Sequence, residues 1–337
     1  MTQREIDEIK MLLGSRRKIV IIPHINPDGD AIGASSALYL FLKRSGHDVT
    51  IISPNDYPHF LKWMPAESTI LKFDTKAKQA KVLIESADII FTLDFNSLSR
   101  IGDMQEIVAK AHGTFVMIDH HQQPDNYAKY SYSDPSIGST CEMIYNFIQW
   151  LDGEELIDVD MASCLYTGIM TDTGSFRFPS TTSSTHQIIS SLIDKGIDNA
   201  GIHNAVYDTN SSDKLQLLGC ALKNLVYLAE YRTSYITLSQ DELNTFNFKK
   251  GDTEGFVNYG LSVDGVKLAA IFIENEEEGI VKISLRSKGD FSVNEFAREH
   301  FHGGGHTNAA GGKSNLGLQE TVSFFRGILP RYKQQLI

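Results

Sequence analysis

Several short apolar segments of this chain end directly in aspartate or histidine, and this recurrence constrains the fold more than any other feature. The segments and the polar residues that follow them are Lys18–Ile22 with His24, Asp28 and Asp30, Ala87–Leu93 with Asp94, and Thr114–Ile118 with Asp119, His120 and His121. Short buried strands that alternate with helical patterns predict an α/β fold with a doubly wound, mostly parallel sheet. Ligands of such sheets bind beyond the carboxyl ends of the strands, so we expect these polar side chains to meet at one edge.

Helical spacing of apolar residues separates and follows these strands. A helix is predicted over Ala31–Ser45, where Gly46 provides the stop, and another over Ser139–Leu151. A third pattern, Asp160–Met170, ends just before Asp172, so this carboxylate can join the others.

The pattern of the sequence changes after about residue 231, from helical spacing to strand-like segments, which predicts a second domain. Three strands are expected there, over Ser234–Leu238, Val266–Ile273 and Gly279–Leu285, with a hairpin turn between the last two. A helical pattern over residues 200–228 precedes them. We therefore predict a metal-binding domain at 1–195, a helical linker at 196–230 and a smaller α/β domain at 231–337.

Length and charge limit the class of protein. A chain of 337 residues can bury two cores, and a net charge of -11 argues against a broad basic surface for long duplex nucleic acid. No segment approaches the roughly 20 apolar residues of a membrane span, and Met1–Lys10 lacks a signal-peptide core. We expect a cytoplasmic protein with no membrane partner, and the sequence leaves open whether it forms a homodimer.

The clustered carboxylates and imidazoles predict a metal centre. So many like charges repel strongly unless cations lie between them, and two divalent ions sharing one carboxylate would satisfy that need. Imidazole and carboxylate ligands without thiolate suit manganese, iron or zinc better than calcium. Manganese is our first choice, with magnesium or cobalt as substitutes. A single aspartate after a strand is usually only a helix N-cap. The joint recurrence at several segment ends favours the metal site.

The motifs resemble those of the DHH phosphoesterase superfamily along nearly the whole chain. The matching segments are residues 24–33 (HINPDGDAIG), Leu93-Asp94, Asp119-His120-His121 and residues 168–174 (GIMTDTG). The tail resembles the DHH-associated domain of the nano-RNase branch, through residues 284–287 (SLRS) and 301–306 (FHGGGH).

This resemblance implies a role for each motif residue. His24, Asp28 and Asp94 would hold one metal, and Asp94 would also bridge to a second metal held by three further residues: Asp30, His120 and Asp172. His121 would face the scissile phosphate as a hydrogen-bond donor or general acid. Asp119 would support His120 from behind.

Substrate recognition is expected from other residues. Arg286 on a predicted strand suits bidentate binding of phosphate, although a surface salt bridge is equally expected before the resemblance is considered. The glycine run ending in Gly304, Gly305 and His306 permits close backbone approach, although a simple turn would use glycine too. Arg177 could reach a second phosphate.

The implied activity is two-metal hydrolysis of short oligoribonucleotides and of the 3′-phosphate of 3′-phosphoadenosine 5′-phosphate. A cyclic or linear dinucleotide phosphodiesterase and an exopolyphosphatase are alternative enzymes with the same kind of metal centre. A non-catalytic nucleotide-binding sensor would be a protein of another class, and the complete ligand set argues against it.

Overall fold

A computed structural model describes residues 1–337, which divide into two compact units, Met1–Thr209 and Asn210–Ile337. The domain boundaries proposed from the sequence, with a linker at 196–230, stay a proposal. One part of the predicted helical stretch is wrong, because Val226–Leu228 forms a strand that pairs with Thr233–Tyr235. That pairing partner lies later in the chain, so helical spacing alone could not reveal it.

The first unit contains six strands and eight helices. The strands are β1 (Lys18–Pro23), β2 (Asp48–Ser53), β3 (Leu71–Lys72), β4 (Ile89–Leu93), β5 (Thr114–Asp119) and β6 (Tyr130–Ser133). The helices are α1 (Gln3–Leu13), α2 (Gly29–Arg44), α3 (Phe73–Glu85), α4 (Gln105–Ala109), α5 (Thr140–Trp150), α6 (Val159–Asp172), α7 (Ser183–Asp194) and α8 (Asn199–Tyr207). The predicted strands and helices of this unit are confirmed to within two residues at most ends.

All six strands of the first sheet run parallel, in the order β3-β2-β1-β4-β5-β6. The strand order reverses between β1 and β4, because β2 and β3 follow on one side of β1, and β4, β5 and β6 on the other. A crevice opens at such a switch point beyond the carboxyl ends of the strands. The fold therefore sets a ligand-binding position beside the ends of β1 and β4.

Both faces of this sheet are buried, as the doubly wound prediction requires. Ile19 and Ile21 of β1 pack into a core that includes α2, α5 and α6, while Val20 and Ile22 pack into a second core with α3 and α4. Because neighbouring side chains of a strand point to opposite faces, a continuous apolar run such as that of β1 can fill both cores.

The second unit is a smaller α/β domain around a mixed sheet. Its strands are β7 (Val226–Leu228), β8 (Thr233–Leu238), β9 (Leu268–Asn275), β10 (Ile280–Ser287), β11 (Gly304–His306) and β12 (Ala309–Ser314), in the order β11-β12-β10-β9-β8-β7. Its helices are α9 (Ser212–Lys223), α10 (Gln240–Thr245), α11 (Phe256–Leu261), α12 (Val293–His300), α13 (Leu318–Ile328) and α14 (Lys333–Leu336). Only β8 and β9 pair in parallel, and β9 and β10 form the predicted hairpin. In neither unit does a helix combine the length and apolar character needed to cross a membrane.

Candidate metal centre

The predicted ligands of the first unit converge at the carboxyl edge of its sheet. His24 follows β1, Asp94 follows β4, and His120 follows β5. Asp28 caps α2 and Asp30 lies in the first turn of that helix, while Asp172 is the last residue of α6. These six residues, separated by up to 148 positions in sequence, thus reach the crevice at the switch point.

Three of them form what we call the outer set: His24, Asp28 and Asp94. Nε2 of His24 lies 3.9 Å from Oδ2 of Asp28 and 3.4 Å from Oδ2 of Asp94. Nδ1 of His24 contacts the carbonyl oxygen of Ile25 at 2.8 Å, which orients the other ring nitrogen toward the carboxylates. The Asp28 side chain is 46% exposed, so this set is open to solvent on one side.

The inner set comprises Asp30, His120 and Asp172. Nε2 of His120 lies 3.9 Å from Oδ2 of Asp30 and 3.3 Å from Oδ2 of Asp172. Nδ1 of His120 contacts the carbonyl oxygen of Ile137 at 3.2 Å. Asp30 and His120 are almost fully buried, so this set is the more enclosed of the two.

Asp94 of the outer set also faces the inner set. Its Oδ2 faces His24, and its Oδ1 lies 3.4 Å from Nε2 of His120. The backbone of Asp94 is left-handed, with φ of 65°, a conformation that aspartate tolerates better than most residues. This turn at the end of β4 presents one carboxylate between two groups of ligands, which suits a bridging ligand.

The electrostatics of the cluster show a strong demand for positive charge. Burial opposes protonation of His24, yet its ion pair with Asp94 and the charge of Asp28 raise its pKa to about 9. The same balance, through Asp94, Asp172 and Asp30, raises the pKa of His120 well above its usual range. Burial raises the pKa of Asp172 to about 6, with Asp28 and Asp94 adding to the shift against the opposing effect of His120.

These donors fit two divalent cations. In each set one imidazole nitrogen and the carboxylate oxygens lie within 4.8 Å of one another, as ligands of one ion must. The raised pKa values of both imidazoles show that the carboxylates attract positive charge, which a metal ion would also supply. Their second nitrogens already contact backbone carbonyls, which is how proteins orient ligating histidines.

Asp119 and His121 form a pair beside the two sets, and Nδ1 of His121 also lies 3.7 Å from Oδ1 of Asp94. Asp119 is fully buried, and its Oδ1 accepts a hydrogen bond from Nδ1 of His121 at 2.7 Å. The prediction that Asp119 supports His120 is therefore wrong, because His120 contacts Ile137 instead. Two adjacent histidines after a strand point in different directions, so the sequence could not tell which one the aspartate would reach.

The segment after α6 carries Arg177. Gly174, Ser175 and Phe176 are consecutively left-handed, and the exposed Arg177 donates from Nε to the carbonyl oxygen of Gly174 at 2.7 Å. Nε2 of His203 lies 3.2 Å from Oγ of Ser175 in the same segment.

The predicted substrate residues of the second unit share one corner of its sheet. Ala309 of β12 pairs with Arg286 on one side and with His306 on the other, so the three side chains lie on the same face. Gly305 has φ of 149°, and a Cβ there would lie 2.4 Å from the carbonyl oxygen of Ala309. Glycine is therefore required for this strand to pair, beyond any role in binding.

Sequence reasoning missed the polar groups that hold the ligands. Backbone amides of Thr140 and Cys141 donate to Oδ2 and Oδ1 of Asp30 at 2.6 and 2.8 Å, and the Thr140 hydroxyl donates to Oδ1 of Asp94 at 3.0 Å. The available signal was Ser139 three residues before Glu142, a pattern typical of a helix N-terminus. It marks where amides are free to donate, but not what they bind.

Comparisons with known proteins agree with this arrangement. Residues 18–169 match the model of the DHH family N-terminal domain, and residues 233–328 match that of the DHHA1 domain. The chain is 30% identical to a bifunctional oligoribonuclease and PAP phosphatase NrnA of Thermus thermophilus, over 87% of this chain and 83% of that protein. It is 27% identical to the Bacillus subtilis protein of the same description, over 87% and 88%.

A solved structure is similar over its whole length. The crystal structure of an exopolyphosphatase-related protein from Bacteroides fragilis has a TM-score of 0.95 and 42% identity, and the match covers 99% of this chain and 98% of that one. The similarity therefore extends through both units of the chain.

Proposed function

The chain belongs to the DHH family, and from that membership we propose that it uses two divalent ions to degrade short oligoribonucleotides and to remove the 3′-phosphate of 3′-phosphoadenosine 5′-phosphate. Membership makes it a metal-dependent phosphoester hydrolase. The choice of substrate is the proposal, and it draws on the two oligoribonuclease and PAP phosphatase relatives, each matched over 87% of this chain.

One observation carries the proposal. Asp94 turns one oxygen toward His24 and the other toward His120, each at 3.4 Å from an imidazole nitrogen. A carboxylate between two ligand groups is what a pair of ions sharing one substrate phosphate requires. We assign His24, Asp28 and Asp94 to one ion, and Asp30, Asp94, His120 and Asp172 to the other.

The bound ions would lower the pKa of a water and neutralise the charge that develops on the phosphoryl oxygens. Residues of the chain would supply the general acid and hold it in place. The oxygen of the attacking water forms a bond to phosphorus and releases a proton to solvent while the bond between phosphorus and the ester oxygen breaks. We propose that His121 donates the proton that the departing ester oxygen takes up. The buried carboxylate of Asp119, 2.7 Å from Nδ1 of His121, holds the ring in one orientation.

We also propose that residues of the second unit bind substrate. Arg286 and His306 lie in one row of the sheet and can donate to phosphate or base edges, while Gly304 and Gly305 leave the backbone open to close approach. Arg177 of the first unit is a further candidate for a phosphate contact. Its guanidinium is exposed, and its Nε donates a hydrogen bond to the carbonyl oxygen of Gly174.

Manganese is the proposed ion, because nitrogen and oxygen ligands without thiolate suit it, and magnesium or cobalt could replace it. A second candidate activity is exopolyphosphatase, which the description of the Bacteroides fragilis protein favours. Hydrolysis of cyclic or linear dinucleotides would use the same metal centre, whereas a nucleotide sensor would bind without catalysis.

A substrate panel tests the proposal. Purified protein with manganese is incubated with a diribonucleotide, a five-residue oligoribonucleotide, 3′-phosphoadenosine 5′-phosphate, a cyclic dinucleotide and polyphosphate, and the products are identified by mass. We expect nucleoside monophosphates from the first three. Orthophosphate from polyphosphate alone would favour the exopolyphosphatase, and nucleotide binding without product would favour the sensor.

A further inference from the structure

Asp30 of the inner set and Asp94, which faces both sets, are held by the start of α5, a helix that supplies no predicted metal ligand itself. Asp30 directs both carboxylate oxygens at the first amides of α5, from Thr140 at 2.6 Å and from Cys141 at 2.8 Å. The amides at a helix N-terminus have no partner within the helix and carry partial positive charge. They bind a carboxylate strongly and fix both its position and its plane.

Thr140 also reaches the shared carboxylate. Its hydroxyl donates to Oδ1 of Asp94 at 3.0 Å, the same oxygen that faces His120, while Oδ2 faces His24. The Thr140 side chain is fully buried, so water does not compete for this hydrogen bond. One residue thus contacts a carboxylate of the inner set through its amide and the bridging carboxylate through its hydroxyl.

We propose that Thr140 is a positioning residue of the metal centre: its hydroxyl fixes the rotation of the Asp94 carboxylate so that one oxygen faces each ligand set. A carboxylate that rotates about its Cβ–Cγ bond would present its oxygens unequally to two ions. The hydroxyl occupies one of the two acceptor positions of Oδ1 and leaves the other for a metal. The inference rests on the proposed two-metal function.

Substitutions at this position separate the hydroxyl from the packing. Thr140→Val keeps the branched shape but removes the donor, Thr140→Ala removes both, and Thr140→Ser restores the donor without the methyl group. Loss of a group that orients a metal ligand costs about 10- to 100-fold in metal affinity. We expect that loss with T140V and T140A, and an affinity close to wild type with T140S.

The matched control is Thr167→Val. Thr167 is also fully buried and helical, but its hydroxyl donates to the carbonyl oxygen of Ser163 at 2.7 Å rather than to a carboxylate. T167V should bind manganese as the wild type does. This control reports the cost of losing a buried threonine hydroxyl that does not reach the site.

Manganese affinity of the full-length protein is measured by titration calorimetry, and thermal unfolding without metal confirms that each variant is folded. Hydrolysis by T140V should recover as manganese is raised to saturation, which a purely structural defect would not allow. Wild-type affinity in both T140V and T140A, or equal weakening in T140S, would overturn the proposal. Asp94→Asn distinguishes a failure of the Thr140 proposal from a failure of the proposed function. If D94N loses manganese binding and the Thr140 variants do not, Asp94 is a ligand but Thr140 does not position it. If the wild-type protein binds no manganese, the proposed function is contradicted as well.

Discussion

The outer and inner ligand sets use the same chemistry in different surroundings. Each contains one imidazole and at least one carboxylate anchored at a helix N-terminus: Asp28 accepts from two amides of α2 at 3.1 Å, and Asp30 accepts from two amides of α5. The Asp28 side chain is 46% exposed, however, whereas that of Asp30 is 1% exposed. Solvent reaches the outer set directly.

Because of this difference, we expect the two proposed ions to have different roles. A carboxylate that is buried and held at both oxygens cannot relax, so the inner set is rigid before an ion arrives. The outer set can exchange its ion and admit water or a phosphoryl oxygen. We therefore expect the outer ion to bind more weakly and to leave first when metal is removed.

Asp94→Asn should have the largest effect, because Asp94 faces both the outer and the inner set. Asparagine keeps the left-handed backbone and the volume, but carries no charge. Losing the several kcal/mol of electrostatic stabilisation that two ions provide corresponds to at least about a 1,000-fold fall in kcat/KM. Steady-state kinetics with manganese checks this, and a loss below tenfold would contradict a bridging role.

Asp28→Asn should weaken metal binding by the outer set and leave the inner set unchanged. Asparagine caps helices as well as aspartate does, so α2 should keep its start. We expect the weaker manganese site to lose about 10- to 100-fold in affinity, in the range seen when metal-site groups are lost, while the tighter site is unchanged. Calorimetric titration resolves the two sites. Equal weakening of both would show that the sets are not separable.

The parallel sheet and the ligand cluster were predictable because both follow from local sequence patterns, namely apolar runs and the polar residues that end them. A run such as Ile19–Ile22 is apolar throughout because both its faces are buried, and the polar residue that follows marks the carboxyl end. Parallel strands align those ends at one edge. The sequence therefore indicated which residues meet, before any distance was known.

The contacts behind the ligands were not predictable, because they depend on directions and on pairings distant in sequence. The amide of Thr140 is 110 residues from Asp30, and nothing local to α5 shows what its N-terminus faces. The choice of Asp119 between His120 and His121 depends on side-chain direction at the end of β5. For β7 the partner strand came later in the chain, so helical spacing misled.

The raised pKa of His24 makes the outer set sensitive to pH. With a pKa of about 9 in the metal-free protein, His24 is protonated at neutral pH, and an ion must displace that proton to bind. Lowering the pH therefore weakens binding, and raising it strengthens binding by up to about tenfold per pH unit until the effect levels off near pH 9. Calorimetry in buffers with different ionisation enthalpies counts the released protons. Heats that do not depend on the buffer would rule this out.

Ser139→Ala should give the smallest effect and shows whether the start of α5 serves more than its own helix. Oγ of Ser139 accepts from the amide of Glu142 at 3.1 Å, and losing such a cap costs about 1 kcal/mol of stability. Ser211→Ala is the matched control, because Ser211 caps α9 of the second unit in the same way, accepting from the amide of Lys214 at 3.1 Å. Both variants should unfold at slightly lower denaturant concentration. Only S139A should also weaken manganese binding, because the amides that follow Ser139 hold Asp30; equal metal affinity in the two variants would mean that the inner set keeps its geometry without the cap.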